Sequence, residues 1–454
     1  MVAITIHGGA NEIGGNKVLI EDRDTRVFLD FGEQFNLKDD FFVDWLKPRE
    51  ARTGLKDYLH FELVPRISGL YGREWLEGTD LPYVEPDFDA IFLSHMHFDH
   101  AMQVRFMDDA IPVYLGKATE AIRKSWVATA GNAIDFGEHE FRTFRTGSRV
   151  KMGSLEIEPI HVDHSVPGAY GFLIHTSEGC VAYTGDLRLH GPRGDMTRDF
   201  ITRAASERPI AMVCEGTRVT DNEVRENLSE EDVKKRALKL LSGHERLALV
   251  SFYPKDVDRM RTFTEVAERT GRKLVVSTKI AHLLEALKGD PHISVPDPLA
   301  DPNILVYVRS GMSRPLAYDK RYIDMASSCD HIVDCEYVAK HQSEVIYHVD
   351  FAQLAELIDI EPSEDSLFVR SKSEPFEEDD VQEEVLQNWI DWFHLSLHPA
   401  HASGHASMEE IFDIVREIRP EVVVPVHTEH PDLFASCGLS VKCPVAHELV
   451  SLKR

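Results

Sequence analysis

The sequence predicts an α/β protein of two domains. Its 454 residues exceed what one hydrophobic core usually organises. Short apolar runs of strand length, such as Ala90-Ile-Phe-Leu93, end in turns rich in His and Asp. Further along, the runs 246–252, 272–278 and 304–308 alternate with helical stretches at 256–270 and 280–288, the pattern of a parallel sheet.

Taken in order, residues 4–21 read as strand, glycine turn, strand. No helix opens after Gly14 and Gly15, so a hairpin is favoured over a phosphate-cradling loop. Residues 26–32 form another strand, with Asp30 at its end. The span 34–86 is a long aromatic and charged connection, of a length that usually carries small helices or function. The apolar run 90–93 then enters Ser94-His95-Met96-His97-Phe98-Asp99-His100. In a turn leaving a strand, His95 and His97 project to one side and can grip one divalent ion, while Asp99 and His100 project toward a second. Two close ions form a clamp for an attacking and a leaving oxygen.

A strand at 111–115 and a helix at 117–130 follow. The strand 155–160 leads to His161 and His164, both of which compete as further ligands, and the strand from 181 ends in Gly185-Asp186. The buried strand from 210 ends in Glu215. After the alternating segment, whose strands lack a Gly-x-Gly-x-x-Gly turn and so argue against a dinucleotide site, acidic residues 374–384 read as a solvated loop. Ser407 and Glu410 fit a capping box, placing His401, Ser403 and His405 in the loop entering a helix, where amides and imidazoles can receive a phosphate. Residues 422–427 form a last strand ending in His427.

His-x-His-x-Asp-His after an apolar strand resembles the signature of the metallo-beta-lactamase superfamily. Glu215, the His-Ala-Ser-Gly-His405 loop, Pro-Val-His427 and the opening Gly-Gly-Ala-Asn-Glu-Ile-Gly-Gly-Asn resemble the beta-CASP nucleases, the ribonuclease J group above all. The resemblance implies a four-layer αββα sandwich, residues 1–215 and 393–454, interrupted by a Rossmann-like parallel α/β beta-CASP insert at 216–392. It implies that His95, His97 and His164 hold one zinc ion, that Asp99, His100 and His427 hold a second, and that Asp186 bridges them; manganese is the alternative metal. Asp30 would support the metal-binding turn from behind. Asp99, Asp186, Glu215 and His405 would be the catalytic groups, with His405 oriented by Glu215, and His401, Ser403 and His405 would hold phosphate oxygens.

The implied activity is a ribonuclease, exonuclease-like, that hydrolyses single-stranded RNA with a water activated between two metals. DNA or a small ester as substrate, or a catalytically silent RNA-binding scaffold, are the alternatives. Fifty Lys plus Arg against seventy-seven Asp plus Glu give a formal charge of −27, which excludes sequence-blind coating of duplexes but not a metal-assisted nuclease. Lys255, Arg259 and Arg309 are the candidate cations for guiding a phosphate backbone. Six scattered cysteines without a Cys-x-x-Cys pair read as reduced thiols, and no apolar run reaches membrane-spanning length. The expectation is a cytoplasmic protein with RNA as partner, no membrane contact, and homodimerisation left open because the chain ends soon after His427, without the C-terminal assembly domain of bacterial ribonuclease J.

Overall fold

The computed structural model describes every residue except 1, 44, 50–53, 132, 222–225, 310–314, 374–380, 451, 453 and 454. Most of the acidic stretch at 374–384 therefore lies outside the described residues. Strands β1 (Val2–Gly8), β2 (Lys17–Asp22) and β3 (Thr25–Leu29) form an antiparallel meander, so the glycine-rich opening is a hairpin. β4 (Ala90–Leu93), β5 (Val113–Gly116) and β6 (Phe141–Phe144) extend the same sheet in parallel. A second sheet begins with β7 (Val150–Met152), β8 (Leu155–His161), β9 (Tyr170–Thr176) and β10 (Gly179–Tyr183), all antiparallel, and continues in parallel with β11 (Ala211–Glu215).

The chain then builds a separate sheet, parallel throughout. Its strands are β12 (Ala248–Ser251), β13 (Lys273–Ser277), β14 (Ile304–Tyr307), β15 (Ile332–Val333), β16 (Val345–His348), β17 (Leu367–Arg370) and β18 (Ser396–Pro399), in the order β15-β14-β13-β16-β12-β17-β18. β18 lies beyond the expected return at 393, so this sheet reaches to Pro399. Afterwards β19 (Val423–Val426) joins β11 in parallel and β20 (Leu449–Val450) joins β1, completing both earlier sheets.

Alternation of side chains explains the layering. Ile4, Val18, Leu29 and Phe92 of the first sheet meet Ile157, Phe172, Val181, Val213 and Val424 of the second in one apolar core. The outer face of the second sheet is covered by helices Gly194–Glu207 and Met408–Ile418, through Phe200, Ile201, Ile411, Phe412 and Val415. The helix Lys117–Ala130 lies outside the first sheet, and its Ser125 Oγ is 2.8 Å from Nδ1 of His282 on helix Thr278–Lys288 of the parallel region. The result is an αββα sandwich with a parallel α/β insert packed on one side. The ends of β4, β10, β11, β18 and β19 converge at a single place.

Candidate metal centre

Where β4 ends, the backbone must turn sharply inward, and Asp30 holds that turn. At φ 58, Asp30 accepts the Ser94 N–H at 2.7 Å, the Ser94 hydroxyl at 2.7 Å and the Tyr183 hydroxyl at 2.6 Å, and its Oδ2 lies 2.8 Å from His100 Nδ1. The single turn Phe98–Ala101 then carries Asp99 and His100 into the interior. Gly32 makes this approach sterically feasible, because a Cβ there would fall 1.8 Å from the Asp99 carbonyl carbon.

Two groups of ligand-bearing atoms result, each spanning no more than 4.8 Å. In the first, His97 Nδ1 lies 3.0 Å from His95 Nε2 and 3.2 Å from His164 Nε2, with Asp186 Oδ2 3.5 Å from His95 Nε2. In the second, His427 Nε2 lies 2.9 Å from Asp99 Oδ2, and His100 Nε2 lies 3.1 Å from Asp186 Oδ2. Asp186 belongs to both. His164 reaches this place from the loop after β8, Asp186 from the end of β10, and His427 from the end of β19 at φ 53.

The donor set fits a divalent cation for a reason beyond proximity. Both carboxylate oxygens of Asp186 are buried and, among the described residues, accept no hydrogen bond. A buried carboxylate left without donors is costly unless a cation pairs it. Burial opposes its ionisation, but His100, His427 and His405 hold Asp186 well below the usual carboxylate range. Burial also drives His95 and His97 well below the usual imidazole value, which keeps them neutral, the form whose lone pair ligates metal. Imidazole and carboxylate donors together suit divalent transition metals.

A third group joins the same carboxylate. Asp186, Glu215 and His405 also lie within 4.8 Å of one another, and His405 Nδ1 sits 3.1 Å from Glu215 Oε2. Burial works against a charged His405, but Glu215 and then Asp186 raise it above its ordinary value, which favours its protonated form. Glu215 is fixed in turn by the Leu187 N–H at 2.9 Å and the Thr217 hydroxyl at 2.9 Å. The loop 401–405 precedes helix Met408–Ile418, whose capping box is Ser407 with Glu410. Burial and the nearby Arg259 push His401 down to about 3, so it is neutral, and the Ser403 Oγ accepts the His405 N–H at 3.1 Å.

Several contributors were not anticipated from the sequence. Thr217 Oγ1 lies 2.9 Å from His427 Nδ1, and Ser94 and Tyr183 complete the shell around Asp30. Thr217 stands only two residues past Glu215, a signal that sequence alone offered. His164 Nδ1 lies 2.6 Å from the Gly404 carbonyl oxygen, which accepts its proton and leaves Nε2 free for an ion. His161 belongs to none of the ligand groups among the described residues: it stacks on its cross-strand partner Tyr170 with ring centroids 4.1 Å apart. Of the cations expected to guide a substrate, Arg259 is fully buried and Arg309 is bound to Glu356 at 2.8 Å. Only Lys255 stands beside the metal-binding turn, donating to the Met96 carbonyl at 3.2 Å with its ammonium 3.2 Å from the Trp126 ring centroid.

A family model described as a beta-lactamase superfamily domain matches residues 75–243, and one described as a Zn-dependent metallo-hydrolase RNA specificity domain matches residues 395–436. The first takes in the ligand-bearing turns from His95 to Asp186, and the second the loop 401–405 and His427. Ribonuclease J of Sinorhizobium meliloti is 24% identical over 419 residues, covering 82% of this chain and 68% of the relative. Ribonuclease J of Mycolicibacterium smegmatis is 24% identical over 473 residues, covering 99% of this chain and 73% of the relative. The chain is thus similar to metallo-beta-lactamase-type hydrolases in the regions that carry the ligands, and to ribonuclease J proteins over most of its length. The fold is shared across the whole length with a crystal structure of a protein of unknown function from Enterococcus faecalis, at a TM-score of 0.78, 24% identity and 99% coverage of both chains.

Proposed function

We propose that this beta-CASP protein is a metal-dependent ribonuclease that hydrolyses phosphodiester bonds of single-stranded RNA. The observation that carries the reading is Asp186, a buried carboxylate without hydrogen-bond donors at the junction of three ligand groups. His95, His97 and His164 with Asp186 would hold one ion, and Asp99, His100 and His427 with Asp186 the other. Zinc is the preferred ion and manganese the alternative. Bound there, such ions supply Lewis acidity, which lowers the pKa of water and neutralises phosphate charge.

The chain's own groups do the rest. His405, whose protonated form Glu215 and Asp186 favour, stands 3.9 Å from Asp186 and can donate to a phosphoryl or leaving oxygen on the face where charge develops. His401 is neutral and directs Nδ1 toward Arg259 and Ser371, which leaves Nε2 for a phosphate oxygen, and Ser403 offers a hydroxyl beside it. Asp30 and Thr217 hold the ligating imidazoles in orientation. The proposed division is a hydrolase domain of residues 1–215 and 393–454 and an insert of 216–392, with β18 contributed to the insert's sheet from the returning chain. Among the described residues no helix is long and apolar enough to cross a membrane. None of the six cysteines is joined in a disulfide there, the thiol usage of a reducing compartment, and on this the reading of a cytoplasmic protein rests.

The test is cleavage of end-labelled single-stranded RNA and matched DNA by the native protein and by Asp186→Ala, after metal content is measured. RNA cleavage that falls by at least ~10²-fold together with bound metal in Asp186→Ala is the expected outcome. A metal-loaded native protein that leaves RNA intact would sink the ribonuclease reading and turn attention to DNA or small esters.

A further inference from the structure

The glycine-rich loop that joins β1 to β2 touches every ligand that belongs to the second ion alone. The Asn16 N–H donates to the Asp99 carbonyl at 2.9 Å, and the Gly9 carbonyl accepts the His427 N–H at 2.7 Å. The Asn16 side chain reaches the third, with Nδ2 3.2 Å from His100 Nε2. Its own carbonyl is fastened as well, accepting the Gly32 N–H at 3.0 Å. Gly14 and Gly15, at φ 89 and φ 69, permit this approach: a Cβ on Gly15 would fall 2.3 Å from Gln34 Cγ, and one on Gly14 3.1 Å from Asp99 Cβ.

Asn16 is buried, and its amide stands among the ligand atoms of the second group. The 3.2 Å to His100 Nε2 compares with 3.1 Å from Asp186 Oδ2 and 3.6 Å from Asp99 Oδ2 to the same nitrogen. The amide is poorly served there as it lies. Its Oδ1 is buried and, among the described residues, accepts no hydrogen bond, which is costly for a carbonyl oxygen. Its Nδ2 faces the imidazole nitrogen that His100 turns to an ion, since Asp30 holds the opposite nitrogen at 2.8 Å. An ion on Nε2 takes the lone pair that Nδ2 meets, and it repels the positive end of the N–H dipole. A half-turn about the last side-chain bond exchanges oxygen and nitrogen without moving another atom, and Oδ1 then faces the ion.

We propose that Asn16 is a further ligand of the second ion, bound through Oδ1 beside Asp99, His100, Asp186 and His427. The proposal rests on the reading of that group as a metal site. It gives the two sites different chemistry: His95, His97, His164 and one carboxylate around the first ion, His100, His427 and the oxygens of Asp99, Asp186 and Asn16 around the second. Zinc suits nitrogen-rich, four-coordinate surroundings, whereas oxygen donors and an added ligand suit manganese. The first site therefore prefers zinc, and the second admits manganese. The opening glycines gain a role as well, since they let the backbone bring Asn16 against Asp99.

The experiment titrates Mn2+ and Zn2+ separately into metal-stripped native protein, Asn16→Leu and Asn16→Asp by calorimetry. Bound Mn2+ is counted by electron paramagnetic resonance, and each protein is melted. Leucine comes near asparagine in shape but offers no ligand, while aspartate keeps the oxygen and gives up the N–H. Native protein should bind two ions. In Asn16→Leu the affinity for the second Mn2+ should fall about tenfold or more and that for Zn2+ by less, with the first ion bound as in native protein. Asn16→Asp should hold the second Mn2+ at least as tightly as native protein does. Equal losses in both variants assign Asn16 an N–H role on His100 and overturn the proposal, as does a folded Asn16→Leu that binds both ions normally. If Asn16→Leu does not fold, Asn16→Asp and crystals of native protein soaked in Mn2+ decide, and an amide outside bonding distance of the second ion overturns it. Native protein that takes up fewer than two ions fails the two-ion reading and the proposal with it. No RNA enters the titration, so failure of the ribonuclease reading alone shows only in the cleavage assay.

Discussion

At the residue scale the centre depends on side chains that would never touch a substrate. Asp30 is fully buried; its Oδ1 accepts the Ser94 N–H, and its Oδ2 accepts the Ser94 and Tyr183 hydroxyls and also lies 2.8 Å from His100 Nδ1. Its charge and its four-way geometry act together: an amide in the same place would present N–H groups to at least one donor. Asp30→Asn should therefore keep the fold while weakening metal affinity or RNA cleavage by about 10- to 100-fold, the usual consequence of removing a group that orients a ligating imidazole. Metal titration followed by far-ultraviolet dichroism would check this, and an Asn variant with native affinity would show that Ser94 and Tyr183 suffice. The sequence placed Asp30 at the end of an apolar strand, and its supporting role was an expectation from the resemblance alone. Its partners Ser94 and Tyr183 were not legible there, since one is a small polar residue inside the motif and the other one aromatic among many in a strand.

At the element scale, the helix Met408–Ile418 sets where the phosphate-facing loop ends. Ser407 Oγ accepts the Glu410 N–H, and Glu410 Oε2 accepts the Ser407 N–H at 2.8 Å and lies 3.2 Å from His190 Nδ1. Removing the cap in Ser407→Ala should cost about 1 kcal/mol, read as a lower urea midpoint with metal content unchanged. A midpoint within error of the native value would mean that Glu410 and His190 hold the helix start alone. This cap was readable from Ser407-x-x-Glu410, as were the hairpin at the N-terminus, the ligand turn after β4 and the parallel insert, because each is written in a local pattern. The insert's last strand was not. Ser396–Pro399 is half exposed and polar, it pairs only on one side with β17, and its sequence reads as the start of the following histidine loop. The bonds to the carbonyls of residues 402–405 were equally hidden: Arg259 donates to that of Ala402, Arg188 and His190 meet that of Ser403, His164 that of Gly404 and Arg218 that of His405, and all five stand far away in sequence.

At the scale of the whole molecule, those same arginines join the hydrolase domain to the insert through buried charge. Arg188 meets Asp163 at 3.4 Å and Asp258 at 2.8 Å, and Arg259 meets Glu230, so two cations face the carboxylates of Asp163, Glu230, Asp256 and Asp258. Burial is the larger effect on two of them, and it pushes Asp256 up to about 7 and Asp258 up to about 6 against the pull of the arginines. An unfolded aspartate titrates near ~3.9, so between about pH 4 and pH 7 the folded protein binds protons that the unfolded chain does not. The stability these groups contribute is fully present below pH ~4 and is lost as pH rises through about 6 to 7, after which it is constant. Asp258→Asn removes one of the two titrations while keeping the shape of the side chain. It also removes an ion pair with Arg188, so its absolute stability shifts, but the informative quantity is the slope. From pH 5 to pH 8 at fixed ionic strength, the change of the urea midpoint with pH should be more positive in Asp258→Asn than in the native protein; His161 and His401, held neutral by burial, add a rise with pH that is the same in both. Parallel curves would mean that Arg188 keeps Asp258 ionised across the whole range, and that the junction between the two domains does not titrate there.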